Sequence, residues 1–267
     1  MSRGPARVRG IEMAYDDTGG SGAALVLLHG FPFDRSMWRG QTSALGGEFR
    51  VVAPDLRGLG ETPLGNDVTI EAMADDVAAL LDELKLGRVV LGGLSMGGYV
   101  AFEFFRKFPG RARALVLADT RPQADTEEGR RAREENAQRA LKEGMVPIVE
   151  AMLPKLLSAK TRERGGEVLE RVRAMMLGTS PEGAAAALRA MALRRDQTDL
   201  LPSINVPTLI VVGDEDSITP PSDAEAMTAK IEGSRLVVVE GAAHLSNVER
   251  PEEFNRALVK FLRGLPA

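Results

Sequence analysis

Short apolar runs rich in β-branched residues recur along the chain: ALVLLHG (24–30), RVVAPD (50–55), RVVLGG (88–93), ALVLAD (114–119), PTLIVVGD (207–214) and RLVVVEG (235–241). Each ends in Gly, Asp or another turn residue. Their hydrophobicity is continuous rather than alternating, which predicts strands buried on both faces, as in a parallel sheet. Helical patterns lie between several of them, in SMWRGQTSALG, IEAMADDVAALLDELKL, MGGYVAFEFFRKF and PSDAEAMTAKI. The segment ARVRGIEMAYDDTG predicts an edge hairpin that turns near Gly10. Strands alternating with helices imply right-handed crossovers, and hence an α/β fold with a doubly wound, mostly parallel sheet of about eight strands.

One interval breaks this rhythm. From Gln123 to Leu200 no strand pattern occurs, only TEEGRRAREENAQRALKEG, MVPIVEAMLPKLL, TRERGGEVLERVRAMMLG and PEGAAAALRAMALRRD. Breaks at Gly144, Pro154, Gly165–Gly166 and Pro181 predict about four helices. The expected organisation is a core of residues 1–122 and 201–267, with residues 123–200 inserted after the sixth strand as a helical cap. Such a cap would sit over the strands' C-terminal ends, where α/β proteins place ligands. The insert's methionines, Met145, Met152, Met175, Met176 and Met191, are read first as core side chains and second as pocket lining.

Composition narrows the chemistry. The chain has 267 residues, 44% of them hydrophobic and 27% charged, as in ordinary globular proteins. A net charge of -4 gives no electrostatic reason to expect nucleic acid or an anionic membrane surface as partner. Cysteine is absent, which removes disulfides and thiolate chemistry. The first residues lack the apolar run of a signal peptide, and no stretch reaches the roughly 18 apolar residues of a spanning helix. The expectation is a cytoplasmic protein without membrane contact. With only His29 and His244 available, a histidine-rich metal site cannot be built, and no metal or other cofactor is expected.

The glycine-rich stretch VVLGGLSMGGYVAFEFF (89–105) carries the strongest signal. A P-loop needs a lysine that does not follow Gly97 or Gly98. A dinucleotide fingerprint needs a middle glycine where Ser95 stands, and a side chain there would block pyrophosphate. What remains is Gly93-Leu94-Ser95-Met96-Gly97, a Gly-x-Ser-x-Gly nucleophile elbow between a strand and a helix. Small neighbours tolerate a strained serine, whose hydroxyl then projects at a helix N-terminus that favours developing negative charge.

A serine hydroxyl needs a base. In this architecture the partners follow in the order Ser, Asp or Glu, His, which selects His244 in GAAHLSNVERPEEF over His29 in LLHGFPF. His29 is read as fixing its own loop through its ring nitrogens. Three aspartates at strand ends qualify as the acid, Asp119, Asp214 and Asp216, and position alone does not separate them. Of the two amides needed to hold an oxyanion, one is expected at Met96, which follows the nucleophile. The other is expected at Phe31 or a neighbour before it, because Pro32 has no N–H.

Together these blocks resemble the α/β-hydrolase fold over nearly the whole chain. They are His29-Gly30-Phe31-Pro32, DLRGLGET (55–62), GLSMGG (93–98), GDEDSITP (213–220) and GAAHLSNVERPEEF (241–254). In that family's Gly-x-x-Asp-x-x-x-Pro block the acid is the second aspartate, so the resemblance selects Asp216. HGFPFDRSMW with GLSMGG is similar to the branch of 3-oxoadipate enol-lactonases, small-molecule esterases and cofactor-free perhydrolases. Epoxide hydrolases and haloalkane dehalogenases place aspartate at the elbow, so Ser95 argues against both.

The resemblance implies hydrolysis of small carboxylic esters or lactones through an acyl-enzyme on Ser95, His244 and Asp216. Phe31 and Trp38 are candidates for the substrate pocket, although Trp38 is read first as packing. The rival enzymatic readings are a perhydrolase or a C–C bond hydrolase on the same residues. A non-catalytic small-molecule receptor on this scaffold is the reading from a different class.

Overall fold

The computed structural model describes residues 2–266, so Met1 and Ala267, the outermost residues of the expected core, lie outside the described residues. β1 (Ser2–Val8) and β2 (Ile11–Asp17) form an antiparallel hairpin. β3 (Ala24–Leu28), β4 (Arg50–Pro54), β5 (Val89–Leu94), β6 (Ala112–Ala118), β7 (Thr208–Gly213) and β8 (Arg235–Val239) complete one eight-stranded sheet. Its order is β1-β2-β4-β3-β5-β6-β7-β8. β2 is antiparallel to both neighbours, and every other pairing is parallel.

The chain leaves β3 toward β4 on one side and later returns to place β5 on the other. The C-terminal ends of β3 and β5 therefore flank the switch point, the crevice where open α/β sheets bind ligands. Every residue of β5 and β7 is buried, as continuous hydrophobicity requires of central strands. β8 departs from that expectation. It is the edge strand, and Val238 is 48% exposed.

Helices cover the sheet: α1 (Arg39–Leu45), α2 (Ile70–Glu83) and α3 (Met96–Lys107) in the first half. Thr69 accepts the Ala72 amide at 3.0 Å and so starts α2 with a side-chain cap. Between β6 and β7 run α4 (Glu127–Glu143), α5 (Val146–Leu156), α6 (Ala159–Arg164), α7 (Glu167–Gly178) and α8 (Pro181–Ala192). The insert thus holds five helices where sequence predicts about four. Pro154 lies inside α5 instead of ending it, because a proline in the last turn removes only one intrahelical bond. The break falls at Leu157 and Ser158, where the serine hydroxyl caps α6. Met145, Met175, Met176 and Met191 are buried in the hydrophobic core cluster, and Met152 packs partly buried against it.

α9 (Pro221–Lys230), α10 (Ser246–Glu249) and α11 (Pro251–Arg263) finish the chain. α11 buries Phe254, Leu258, Phe261 and Leu262, spaced at i, i+4, i+7 and i+8, so one stripe faces the sheet and the rest faces water. Among the described residues no helix is long and apolar enough to cross a membrane.

Candidate active site

β5 ends at Leu94 and α3 starts at Met96, leaving Ser95 alone in the turn with φ 53 and ψ −113, a strained conformation for a residue with a Cβ. Two contacts hold it there: the Ser95 amide donates to Ala118 O at 3.0 Å, and Thr120 Oγ1 donates to Ser95 O at 2.8 Å. The flanking glycines are needed for close approach. A Cβ on Gly93 would lie 2.1 Å from Gly97 O, and one on Gly97 would lie 2.2 Å from Leu28 O. β3, β5 and α3 meet backbone to backbone here, so no larger residue fits.

His244 follows β8 and is 3% exposed. Its Nε2 lies 2.9 Å from Ser95 Oγ, and its Nδ1 lies 2.8 Å from Asp216 Oδ2. A carboxylate only accepts, so the Nδ1 proton points to Asp216 and the neutral ring's Nε2 is free to accept the serine hydrogen. The remaining capacity of Asp216 is filled by the amides of Ile218 (2.8 Å) and Thr219 (3.0 Å) at Oδ1 and by Thr219 Oγ1 (2.8 Å) at Oδ2. Burial alone would raise this carboxyl. The His244 ring and the hydrogen bonds from His244 and Thr219 outweigh it and hold Asp216 below the ordinary range.

The structure separates the other two aspartates. Asp214 Oδ1 accepts the amides of Gly241 (2.7 Å) and Ala242 (3.3 Å), tying the end of β7 to the turn after β8. Asp119, fully buried with φ 43, accepts Gly213 N–H at 2.9 Å and Ser246 Oγ–H at 2.5 Å. Burial and the neighbouring Asp216 charge push Asp119 well above the usual carboxyl range. Its hydrogen bonds run to the backbone and serine of the surrounding loops and not to His244.

His29 is fully buried. Its Nε2 accepts the Leu56 amide at 2.9 Å, so Nδ1 carries the proton and donates to Gly30 O at 2.9 Å. Burial lowers the pKa of this ring, against the charge of Asp55. His29 thereby ties the loop after β3 to the loop after β4. The Phe31–Pro32 peptide in that first loop is cis. Phe31 is 6% exposed. Met96 is the first residue of α3, where an amide has no acceptor within its own helix. Trp38 is buried in the core, its ring tilted against Phe254 of α11 with centroids 6.0 Å apart. Among the described residues no three His, Asp or Glu side chains converge as metal ligands.

Several residues that shape this site escape a sequence reading. Asp55 accepts the amides of Arg35 (2.7 Å) and Glu61 (2.8 Å) and pairs with the Arg35 guanidinium, bracing the loops after β3 and β4. Thr120, Thr219 and Ser246 hold the turn, Asp216 and Asp119 respectively. The hydroxyls of Thr120 and Ser246 have no spacing signature, because their partners, Ser95 and Asp119, lie in distant segments, whereas Thr219 meets Asp216 within its own loop.

Comparisons with known proteins bear on the chain and its fold as a whole. Residues 25–257 match the model of the alpha/beta hydrolase family. The chain is 30% identical over 242 residues to 3-oxoadipate enol-lactonase 1 of Acinetobacter baylyi, covering 91% of this chain and 89% of the relative. Among solved structures it is similar to a thermophilic esterase from Thermogutta terrifontis in a malate-bound form, with 45% identity, a TM-score of 0.95 and full coverage of both chains. It is also similar to the enol-lactonase of Burkholderia xenovorans, with 33% identity, a TM-score of 0.91 and coverage of 97% and 99%. With the family pattern spanning most of its length on the same sheet, this chain belongs to the alpha/beta hydrolase family.

Proposed function

We propose that the chain hydrolyses small carboxylic esters or lactones by two-step acyl transfer, with Ser95 as nucleophile, His244 as base and Asp216 as its orienting acid. The observation that carries this reading is the continuous row from Ser95 Oγ through His244 to Asp216, at 2.9 and 2.8 Å, beginning on a strained strand-to-helix turn. His244 takes the hydroxyl proton as Ser95 attacks the carbonyl, and the imidazolium is stabilised by Asp216. The amides of Phe31 and Met96 hold the oxyanion, worth roughly 2.7–4 kcal/mol per donor in such sites. His244 then protonates the leaving alcohol, and water cleaves the acyl-enzyme by the reverse path.

The substrate class rests on the names of the relatives, which are enol-lactonases and an esterase. Residues 123–200 act as the cap in this reading, with 1–122 and 201–267 as the core. Two contacts that join the insert to the site support the assignment. Thr179 Oγ1 donates to Pro32 O at 2.8 Å, and the Leu245 amide donates to Leu156 O at 3.2 Å. Phe31 is the candidate to line the acyl pocket, while the burial of Trp38 against Phe254 favours packing for that ring.

Ser95→Ala is the direct test. Labelling by a fluorophosphonate probe should disappear, and turnover of p-nitrophenyl esters and simple lactones should fall by roughly four to six orders of magnitude. Full activity in Ser95→Ala would remove the proposal. Esters of increasing acyl length in the same assay measure the pocket.

A further inference from the structure

Glu249, the last residue of α10, is 8% exposed, and its carboxylate receives donors from both sides. Oε2 accepts the amide of Ala243, the residue before His244, at 2.7 Å. Oε1 accepts the Ser158 amide at 3.0 Å and the Ser158 hydroxyl at 2.8 Å, at the junction between α5 and α6 of the helical insert. One carboxylate thus joins two chain segments that are 85 residues apart in sequence, Ser158 and Ala243. A second bond runs beside it, from the Leu245 amide to Leu156 O at 3.2 Å. The backbone is therefore held to the insert immediately before and immediately after His244.

We infer that Glu249 is a positioning residue: it clamps the His244 loop to the insert, so that the insert sets where the imidazole stands and not only what covers the substrate. The inference rests on the proposed role of His244. Glu249 itself touches neither Ser95 nor His244 by any hydrogen bond among the described residues. All three of its partners are donors. An ionised carboxylate, which only accepts, matches them, whereas a carboxamide turns an N–H₂ toward either Ala243 or Ser158. Ser158 Oγ also accepts the Thr161 amide at 3.3 Å, so the same hydroxyl caps α6 and grips Glu249. A clamp of this kind acts on the chemical step: a displacement of about 1 Å in a base costs on the order of a hundredfold in rate while substrate binding changes little.

The test compares Glu249→Gln, Ser158→Ala and their double variant with Glu252→Gln, an exposed acidic neighbour, as control. Active sites are counted with a fluorophosphonate probe, so every rate refers to folded, competent enzyme. Glu249→Gln should lose roughly ten- to a hundredfold in kcat per active site, with KM for a short p-nitrophenyl ester within about threefold of the parent. Ser158→Ala should lose roughly three- to tenfold in kcat per active site. The double variant should be no worse than Glu249→Gln alone, because both act through one contact. Glu252→Gln should be unchanged.

A Glu249→Gln enzyme with unchanged kcat per active site, or one whose KM carries the whole effect, overturns the clamp. Should Glu249→Gln not fold, Ser158→Ala decides alone, and an unchanged kcat there overturns the clamp. Full activity in Ser95→Ala would overturn the reading of the site and the clamp together. Ser95-dependent turnover that is indifferent to Glu249 and Ser158 would overturn the clamp only.

Discussion

Asp119 and Asp216 leave adjacent strands and are pushed in opposite directions. Burial and the Asp216 charge raise Asp119, whereas His244 and Thr219 hold Asp216 low against its own burial. Of the two, Asp216, the carboxylate that faces the imidazole, is the one whose surroundings favour the charged form. Asp216→Asn should lower kcat by about 10⁴, since an amide cannot hold the His244 tautomer. Asp119→Asn, at a side chain that bonds Gly213 and Ser246 and not His244, should stay within about tenfold of the parent in the same ester assay. A larger loss at Asp119 would reverse the assignment. The two also differ in linkage. A carboxyl raised in the folded state contributes stability that is complete below the unfolded pKa, near 4, and is lost as pH rises through the folded value. Urea unfolding at stepped pH should show the stability of the parent relative to Asp119→Asn declining above about pH 4.

At the scale of elements, the strand–turn–helix unit of β5 and α3 sets how closely β3 can approach. The contact is backbone against backbone, with the Cβ position of Gly97 only 2.2 Å from Leu28 O and 2.9 Å from His29 O. No side-chain rotation can relieve an added methyl group there. Gly97→Ala should cost about 1–3 kcal/mol by urea unfolding, as overpacked sites do. It should also depress ester turnover by more than tenfold, because Ser95 and the loop carrying Phe31 move apart. The same elements show what sequence patterns carry well. β3 to β8 fall within one or two residues of their apolar runs, because strands buried on both faces must be continuously hydrophobic. The insert is less legible. Its helix boundary at Ser158 is set by a cap bonded to Glu249, 91 residues away, and not by the nearby Pro154.

For the molecule as a whole, the two crossings between the sheet and the insert are stapled to each other. Arg194, 3% exposed, meets Asp125 at 2.8 Å, donates to Gln123 O at 2.7 Å and lies 4.2 Å above the Tyr99 ring of α3. The Gln197 amide donates to Pro122 O at 2.9 Å, and its side chain donates to Glu103 of α3 at 2.7 Å. Burial would raise Asp125, but Arg133 and Arg194 hold it below the ordinary carboxyl range. A carboxyl depressed in the folded state contributes stability above its unfolded pKa that is lost as pH falls through the folded value. Asp125→Ala should therefore cost about 3–5 kcal/mol at neutral pH, since it strands the Arg194 charge in the interior. The gap to the parent should narrow as the pH falls below about 4, measured by urea unfolding. A gap that does not change with pH would mean that Asp125 gains nothing from its arginines.

The sequence by itself determined the sheet, the position of the serine turn and the chemical types at its rim. Hydrophobic continuity, glycine sterics and motif spacing are local properties, written over a few consecutive residues. It left three aspartates open as partners of His244, and only a family resemblance preferred Asp216. Tertiary structure decided where each carboxylate bonds: Asp216 to His244, Asp119 to Ser246 and Gly213, and Asp214 to the turn at Gly241. It also decided that Trp38 packs on Phe254 and that Glu249 ties the insert to the His244 loop. Those outcomes depend on which loops the sheet order brings together. A hydrogen bond between residues dozens of positions apart leaves no period in the chain.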